Sequence, residues 1–213
     1  MKSLRFVLVL AASFPLSLLT PAPAQAGSFA LMFEAGLRTM SRSPDTEKAI
    51  FDQKRGIGVG GGITYDRGSR WRFGIDGRRI SREGERAFAF DRTSEAFRLG
   101  HPLTFTMTQG VASAAFRFGK IGPISPYLGV GAGMASWKEE SNIAGLIEKA
   151  SGTSALFEGR LGLERQQGPV RIGVEGGITI VPNAIGVGGI SQTYEEKDLG
   201  GLFVVVRLGF SRR

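Results

Sequence analysis

Near the end of the chain, residues 201–210 read GLFVVVRLGF and alternate with a period of two. Leu202, Val204, Val206, Leu208 and Phe210 fall on one face, and Gly201, Phe203, Val205, Arg207 and Gly209 on the other. That period is the mark of a β-strand. One face is wholly apolar; the other carries a charge and two glycines. A soluble sheet also gives two-faced strands, so the weight rests on whether other segments repeat the arrangement.

They do. The alternation predicts further strands over 29–38, 56–65, 71–80, 104–118, 127–136, 155–164 and 170–180. Phe29, Leu31, Phe33, Ala35 and Leu37 make the apolar face of the first, and Val170, Ile172, Val174, Ile178 and Ile180 that of the seventh. Short turns follow the second, fourth and sixth strands. Long polar segments, 39–55, 81–103, 137–154 and 181–200, follow the others. An even strand number with short turns at one end and long loops at the other is the layout of an outer-membrane barrel. Strands of about ten residues suit a tilted bilayer crossing. The expected fold class is all-β: an eight-stranded antiparallel up-and-down transmembrane β-barrel.

Charge tests the faces. The apolar faces carry one charged residue, Arg79, at the loop end of its strand. The opposite faces carry Glu34, Arg38, Arg72, Asp76, Arg78, Arg117, Glu158, Arg160, Arg171, Glu175 and Arg207. A basic side chain facing lipid at mid-bilayer costs about 2–4 kcal/mol, whereas inside a barrel such groups pair. A soluble lipocalin-like barrel would invert the pattern. Seven inward cations against four inward anions leave some arginines for water, hydroxyls or carbonyls. Asp66 and Glu164 are expected on the rim at the short-turn end, among Arg67, Arg70, Lys120, Arg165, Arg212 and Arg213. That rim is read either as a contact for anionic headgroups or as a solvated edge. Inward Gly56, Gly58, Gly60 and Gly62, with Gly129, Gly131 and Gly133, leave room for long arginines from the other strands.

The first 26 residues read as an export signal. Lys2 and Arg5 precede an apolar run of about 14 residues, 6–19, and Ala24-Gln25-Ala26 fits a small-residue cleavage site. The run is short for a helical span, which needs about 20 residues. The expected domains are therefore 1–26, a signal peptide, and 27–213, the barrel. Without Lys2 and Arg5 the chain keeps 25 basic and 19 acidic residues. Export, and the lack of a helical basic stripe, argue against nucleic acid as the partner. There is no cysteine, hence no disulfide.

The exported start, the eight amphipathic strands, the stretch Pro126-Tyr127-Leu128-Gly129-Val130-Gly131-Ala132-Gly133 and the last strand ending at Phe210 resemble the small outer-membrane β-barrel family. That family includes the OmpA transmembrane domain, OmpX and the opacity-type adhesins. The resemblance implies residence in the bacterial outer membrane among lipids and lipopolysaccharide. It also implies insertion by the outer-membrane assembly machinery, which reads the last strand, here Leu202, Val204, Val206, Leu208 and Phe210. Such chains typically end on the aromatic, whereas Ser211, Arg212 and Arg213 follow it here. No peptidoglycan-binding domain is expected after the barrel.

Site chemistry is sparse. Gly56-Ile57-Gly58-Val59-Gly60-Gly61 satisfies G-x-G-x-x-G, but a dinucleotide site needs a helix after it, and ITYDRGS follows. No cofactor is expected, and no residues have metal-ligand spacing. His101, the only histidine, is expected in a surface loop. Some barrels of this family modify lipid A with a histidine and a serine; Ser81 and Ser94 lie in the same expected loop. The expected function is non-catalytic: a monomeric barrel serving envelope integrity or adhesion, with a host or envelope ligand at four surface loops. A lipid A-modifying enzyme and a narrow channel are the alternatives. The segment 86–90, RAFAF, is read equally as partner-binding loop or strand extension.

Overall fold

Eight strands pair antiparallel in sequence order, and the last closes on the first, in a computed structural model of the chain. The structure describes residues 27–52, 55–143, 145–182 and 190–212, so the expected signal peptide lies outside it. The elements are β1 Ser28–Arg38, α1 Pro44–Phe51, β2 Gly56–Arg67, β3 Trp71–Phe88, β4 Phe97–Arg117, β5 Ile124–Ile143, β6 Leu146–Gln167, β7 Val170–Ile180, α2 Ile190–Thr193 and β8 Gly201–Arg212. The fold is an eight-stranded up-and-down transmembrane β-barrel.

Register sets the shape. Followed one way from Ala35, partners run through Val59, Arg79, Thr108 and Ser136 to Thr153 on β6. Followed the other way, through Val206 and Val174, they reach Leu163 on the same strand. The ends miss by ten residues. With eight strands, a stagger of ten tilts each strand by about 40° from the barrel axis. Gly68 and Gly168, at φ 65° and 59°, supply the left-handed positions of two of the short turns.

The outer face is an apolar belt. Leu31, Ile63, Ile75, Val130, Leu161, Val174 and Val206 all stand exposed on it. At the short-turn end it finishes in aromatics: Trp71 meets Phe116 at 5.2 Å between ring centres, and Phe29 meets Tyr65 at 4.9 Å. Aromatic girdles of this kind sit at a membrane–water interface.

Two of the four expected long loops are mostly strand. Residues 81–88 and 97–103 extend β3 and β4, so only 89–96 connects them; β5 and β6 continue to Ile143 and Leu146. The reason lies in a reversal of the inside–outside rule. Above Arg79 the outward positions turn polar: Ser81, Glu83 and Glu85 on β3, Thr104 and Thr108 on β4, Ser136 and Lys138 on β5. The inward positions turn apolar, with Leu103, Phe105, Met107 and Trp137 buried. The barrel leaves the membrane there and continues as an ordinary water-soluble barrel. Higher still, an irregularity between Glu85 and Ala87 and the positive φ of Gly100 (72°) switch the faces of β3 and β4. That switch places Phe88 and Phe97 opposite each other and exposed.

This boundary has a direct test. Val206→Arg, in mid-belt, should destabilise the barrel in lipid by about 2–4 kcal/mol. Thr104→Arg, on the same outer surface but paired with Glu83 and Glu140, should change stability by no more than about 0.5 kcal/mol. Urea unfolding from vesicles measures both; equal losses would put the polar extensions inside the bilayer.

Candidate functional site

The barrel interior is filled in two layers of different chemistry. The lower layer is ionic and spans the height of the apolar belt. At its centre Asp76 accepts hydrogen bonds from Arg160 (3.2 Å) and Arg207 (3.0 Å). Glu175 accepts from Arg207 (2.9 Å) and from the Tyr127 hydroxyl (2.8 Å). Glu34 pairs with Arg38 at 3.0 Å and Arg78 at 2.8 Å, while Glu158 pairs with Arg78 and Arg160. Phe203 packs beneath Arg38, whose guanidinium lies 4.7 Å from the ring centre.

Nearer the short turns is a second cluster. Arg72 grips Glu164 with two hydrogen bonds of 2.7 Å and reaches Asp66 at 2.9 Å. Asp66 also takes Arg117 and, at 2.5 Å, Arg171. Asp66 and Glu164 are thus buried, not rim residues. β2 runs two residues past its expected end, which puts Asp66 on the inward face after Thr64, and Glu164 shares the inward face of Glu158 and Arg160. The seven inward arginines meet six carboxylates, not four. Burying a charge is tolerable only when it is paired and hydrogen-bonded. Most members here have more than one partner, Arg38, Arg117 and Glu164 being the ones with a single partner among the described residues.

Glycines make the room. A Cβ at Gly58 would lie 2.9 Å from Arg38 Cδ, one at Gly60 2.9 Å from Arg78 Cγ, and one at Gly129 3.0 Å from Arg160 Cγ. The G-x-G-x-x-G segment therefore lies wholly within β2, with its inward glycines against arginine side chains.

The upper layer is an apolar plug. Ala49, Ile50 and Phe51 of α1 enter the barrel mouth against Leu103 and Phe105, and the Phe51 and Phe105 rings meet edge-on at 6.2 Å. Arg82 lies 4.1 Å over the Phe51 ring and pairs with Glu47 at 2.8 Å. The helix is held at its start by the β7–β8 connection and at its end by β4. The Glu196 carboxylate accepts the N–H groups of Asp45 (3.0 Å) and Thr46 (2.8 Å), and Arg98 donates to the carbonyls of Ala49 (3.2 Å) and Lys48 (3.4 Å). These capping bonds satisfy groups that a helix terminus leaves unpaired. Asp198 ties the β7–β8 connection down through Arg42 and the N–H groups of Val181 and Gly200. Tyr194 donates to the Ser94 carbonyl at 3.3 Å. The connections after β1, β3 and β7 form one interlocked lid. In the 91–94 turn, hydrogen bonding by Ser94 and Thr93 holds the Asp91 carboxyl down to about 2, so it stays charged through the neutral range.

Where the layers meet, Arg38, Gln109, Thr179 and Phe203 border a cavity of about 20 Å³. That is space for about one water molecule.

His101 lies in β4, half-buried, and not in a loop; its imidazole makes no hydrogen bond among the described residues. Ser81 is on the outer face of β3, and Ser94 is bound into the lid. No group of metal-ligating residues occurs among the described residues. Arg86 to Phe88 extend β3, and Phe88, Phe90 and Phe97 form an exposed cluster with ring centres 5.3–5.7 Å apart. Leu202, Val204, Val206, Leu208 and Phe210 stand exposed on the outer face of β8.

Sequence reasoning missed Tyr127, Phe203 and the Arg82–Glu47–Phe51 group. The first two occupy inward positions by simple alternation. The helix has its own signal, Ser43-Pro44 followed by Asp45 and Glu47, which is a helix start.

The fold is that of the small eight-stranded outer-membrane β-barrels. A major outer membrane protein from Thermus thermophilus matches with a TM-score of 0.52 at 8% identity, over 88% of this chain and 100% of that one. Neisserial surface protein A matches at 0.48 and 13% identity, over 88% and 97% of the two chains. Ail, the attachment invasion locus protein of Yersinia pestis, in complex with the heparin analogue sucrose octasulfate, matches at 0.46 and 15% identity, over 87% and 97%. No family model and no curated protein matches the sequence.

Proposed function

We propose that this chain is an outer-membrane β-barrel with a structural and surface-presenting role, neither enzyme nor channel. The observation that carries the reading is the double filling of the interior. A paired ionic layer and an apolar plug together leave space for about one water molecule where they meet. A conducting pore needs a continuous aqueous path, and a hydrolase needs a base within reach of a nucleophile. His101 has no such partner among the described residues. The apolar belt and its aromatic girdle support residence in a bilayer.

Export by residues 1–26, delivery to the outer membrane among its lipids and lipopolysaccharide, and recognition of β8 by the assembly machinery belong to the same proposal. So does the role of the ionic layer as the barrel's stiffener. The surface offered to a host or envelope ligand is the lid with its two tall hairpins, β3–β4 and β5–β6, the first tipped by Phe88, Phe90 and Phe97. Exposed apolar clusters of that kind mark contact sites on rigid scaffolds.

The test has two arms. The outer-membrane fraction should contain a band whose gel mobility changes on boiling, and the purified barrel should be silent in a planar bilayer. A soluble periplasmic protein without a shift would reverse the assignment of inside and outside. Discrete conductance steps would favour the channel, and a change in lipid A acylation on deletion of the gene would favour the enzyme.

A further inference from the structure

At the short-turn end every described carboxylate is turned inward. Asp66 and Glu164 are 4% and 6% exposed and bound to Arg72, Arg117 and Arg171. The cations stay outside. Arg67, Arg70, Lys120 and Arg165 are exposed, and none of the four forms an ion pair among the described residues. The described charge on this rim is therefore of one sign.

The four cations form an arc. Arg67 and Arg70 flank the β2–β3 turn. The Arg70 carbonyl accepts the Arg117 N–H at 2.8 Å, which sets it beside the end of β4. Lys120 lies in the turn that follows, and Ile124 at the start of β5 pairs with Arg165. Between the cations stand large exposed apolar side chains: Trp71 (45%), Phe118 (61%) and Ile121 (74%). Ile121 flanks the Gly122-Pro123 tip of the β4–β5 turn, fixed there by paired backbone bonds with Ile124 of 2.8 and 3.2 Å. An isoleucine projected from a turn into water would gain nothing; at a bilayer boundary it has acyl chains to meet.

We propose that the short-turn rim is a binding collar for anionic phospholipid headgroups of the leaflet it faces. The Trp71, Phe118 and Ile121 side chains set its depth at the acyl border. Arg67, Arg70, Lys120 and Arg165 then lie at the level of the phosphates, where guanidinium groups bind in bidentate fashion. A soluble acidic partner fits less well, because the cations are interleaved with apolar groups at the same level as the aromatic girdle. The inward turn of Asp66 and Glu164 does two things at once: it gives three interior arginines their ion-pair partners and removes carboxylates that would repel anionic headgroups from the rim.

This proposal rests on the reading of the chain as a membrane barrel, and the experiment separates the two. The chain and the variant Arg67→Ser, Arg70→Ser, Lys120→Ser, Arg165→Ser are refolded into phosphatidylcholine vesicles carrying spin-labelled phosphatidylglycerol or phosphatidylcholine. Folding is read first from the boiling-dependent gel shift. The relative association of the two labelled lipids is then read by electron spin resonance. The collar predicts that phosphatidylglycerol is favoured by roughly fivefold for each cation it engages. The preference should fall to near unity in the variant and in 1 M salt, where screening shortens to about 3 Å. A control lacking Lys138 and Lys149, at the far end, should keep it. If the fourfold variant fails to fold, Arg70→Ser with Lys120→Ser should still lower the preference. No gel shift for the parent chain would sink the barrel reading itself. A folded barrel with no preference, or one that the rim variants leave unchanged, would overturn the collar alone.

Discussion

Asp76→Leu should lower the stability of the barrel by about 3–5 kcal/mol, the range for removing one member of a buried ionic group. Asp76 accepts from Arg160 at 3.2 Å and Arg207 at 3.0 Å, and Arg78 lies 3.7 Å away. Without it those three guanidinium groups share Glu34, Glu158 and Glu175, and the interior gains one uncompensated positive charge. Leucine supplies volume but no acceptor, so packing does not explain the loss. The double variant Asp76→Leu with Arg207→Leu removes one charge of each sign. It should be less destabilised than the sum of the two single variants, with a coupling in the range of about 0.5–3 kcal/mol for residues of one network. Urea titrations of the refolded barrel, with the unheated gel band as the measure of the native state, give all three values. An Asp76→Leu barrel as stable as the parent would mean that the ionic layer merely fills space.

The membrane-spanning half of this architecture was legible because a lipid-facing barrel imposes the most stringent rule that a strand pattern can obey. One outward charge in a belt of eight strands is hard to obtain in any other fold. The upper half was not legible by the same scan, for a physical reason. Leu103, Phe105 and Met107 alternate with Thr104, Thr106 and Thr108 as regularly as any residues in the belt, but in the opposite chemical sense. A search for outward apolar faces therefore stops at Thr104 and reads 81–103 and 137–154 as loop. Asp66 was misplaced at the rim because a two-residue error in where β2 ends moves a side chain between solvent and interior; Glu164, the last residue of its expected strand, was misplaced because β6 runs three residues further, to Gln167. The lid lies further beyond reach. Its helix start is local, but the bonds that dock the helix come from Glu196 and Arg98, far away in the chain. Their meeting depends on barrel closure, which no local pattern encodes.

The two interior layers should prove energetically separable, and Phe51→Ala is the substitution that tests it. Phe51 is 2% exposed, packs against Phe105 and lies under the Arg82 guanidinium. Truncating a buried phenylalanine costs about 3–5 kcal/mol. Here that loss falls on the lid, because Phe51 touches the upper layer while the belt is held by inter-strand bonds and by Asp76, Glu175 and their arginines. The expected outcome is faster proteolysis within α1 and the β7–β8 connection, and loss of amide protection there, with the boiling-dependent gel shift retained. Gly84→Val approaches the same contact from the strand side, since a Cβ at Gly84 would lie 2.5 Å from the Ile50 carbonyl oxygen. It should release the lid in the same way. If either variant abolished the gel shift, the lid would be part of the barrel's folding unit and not a plug seated on a barrel that stands without it. If both leave the shift intact and the bilayer still silent, the ionic layer alone is enough to close the barrel.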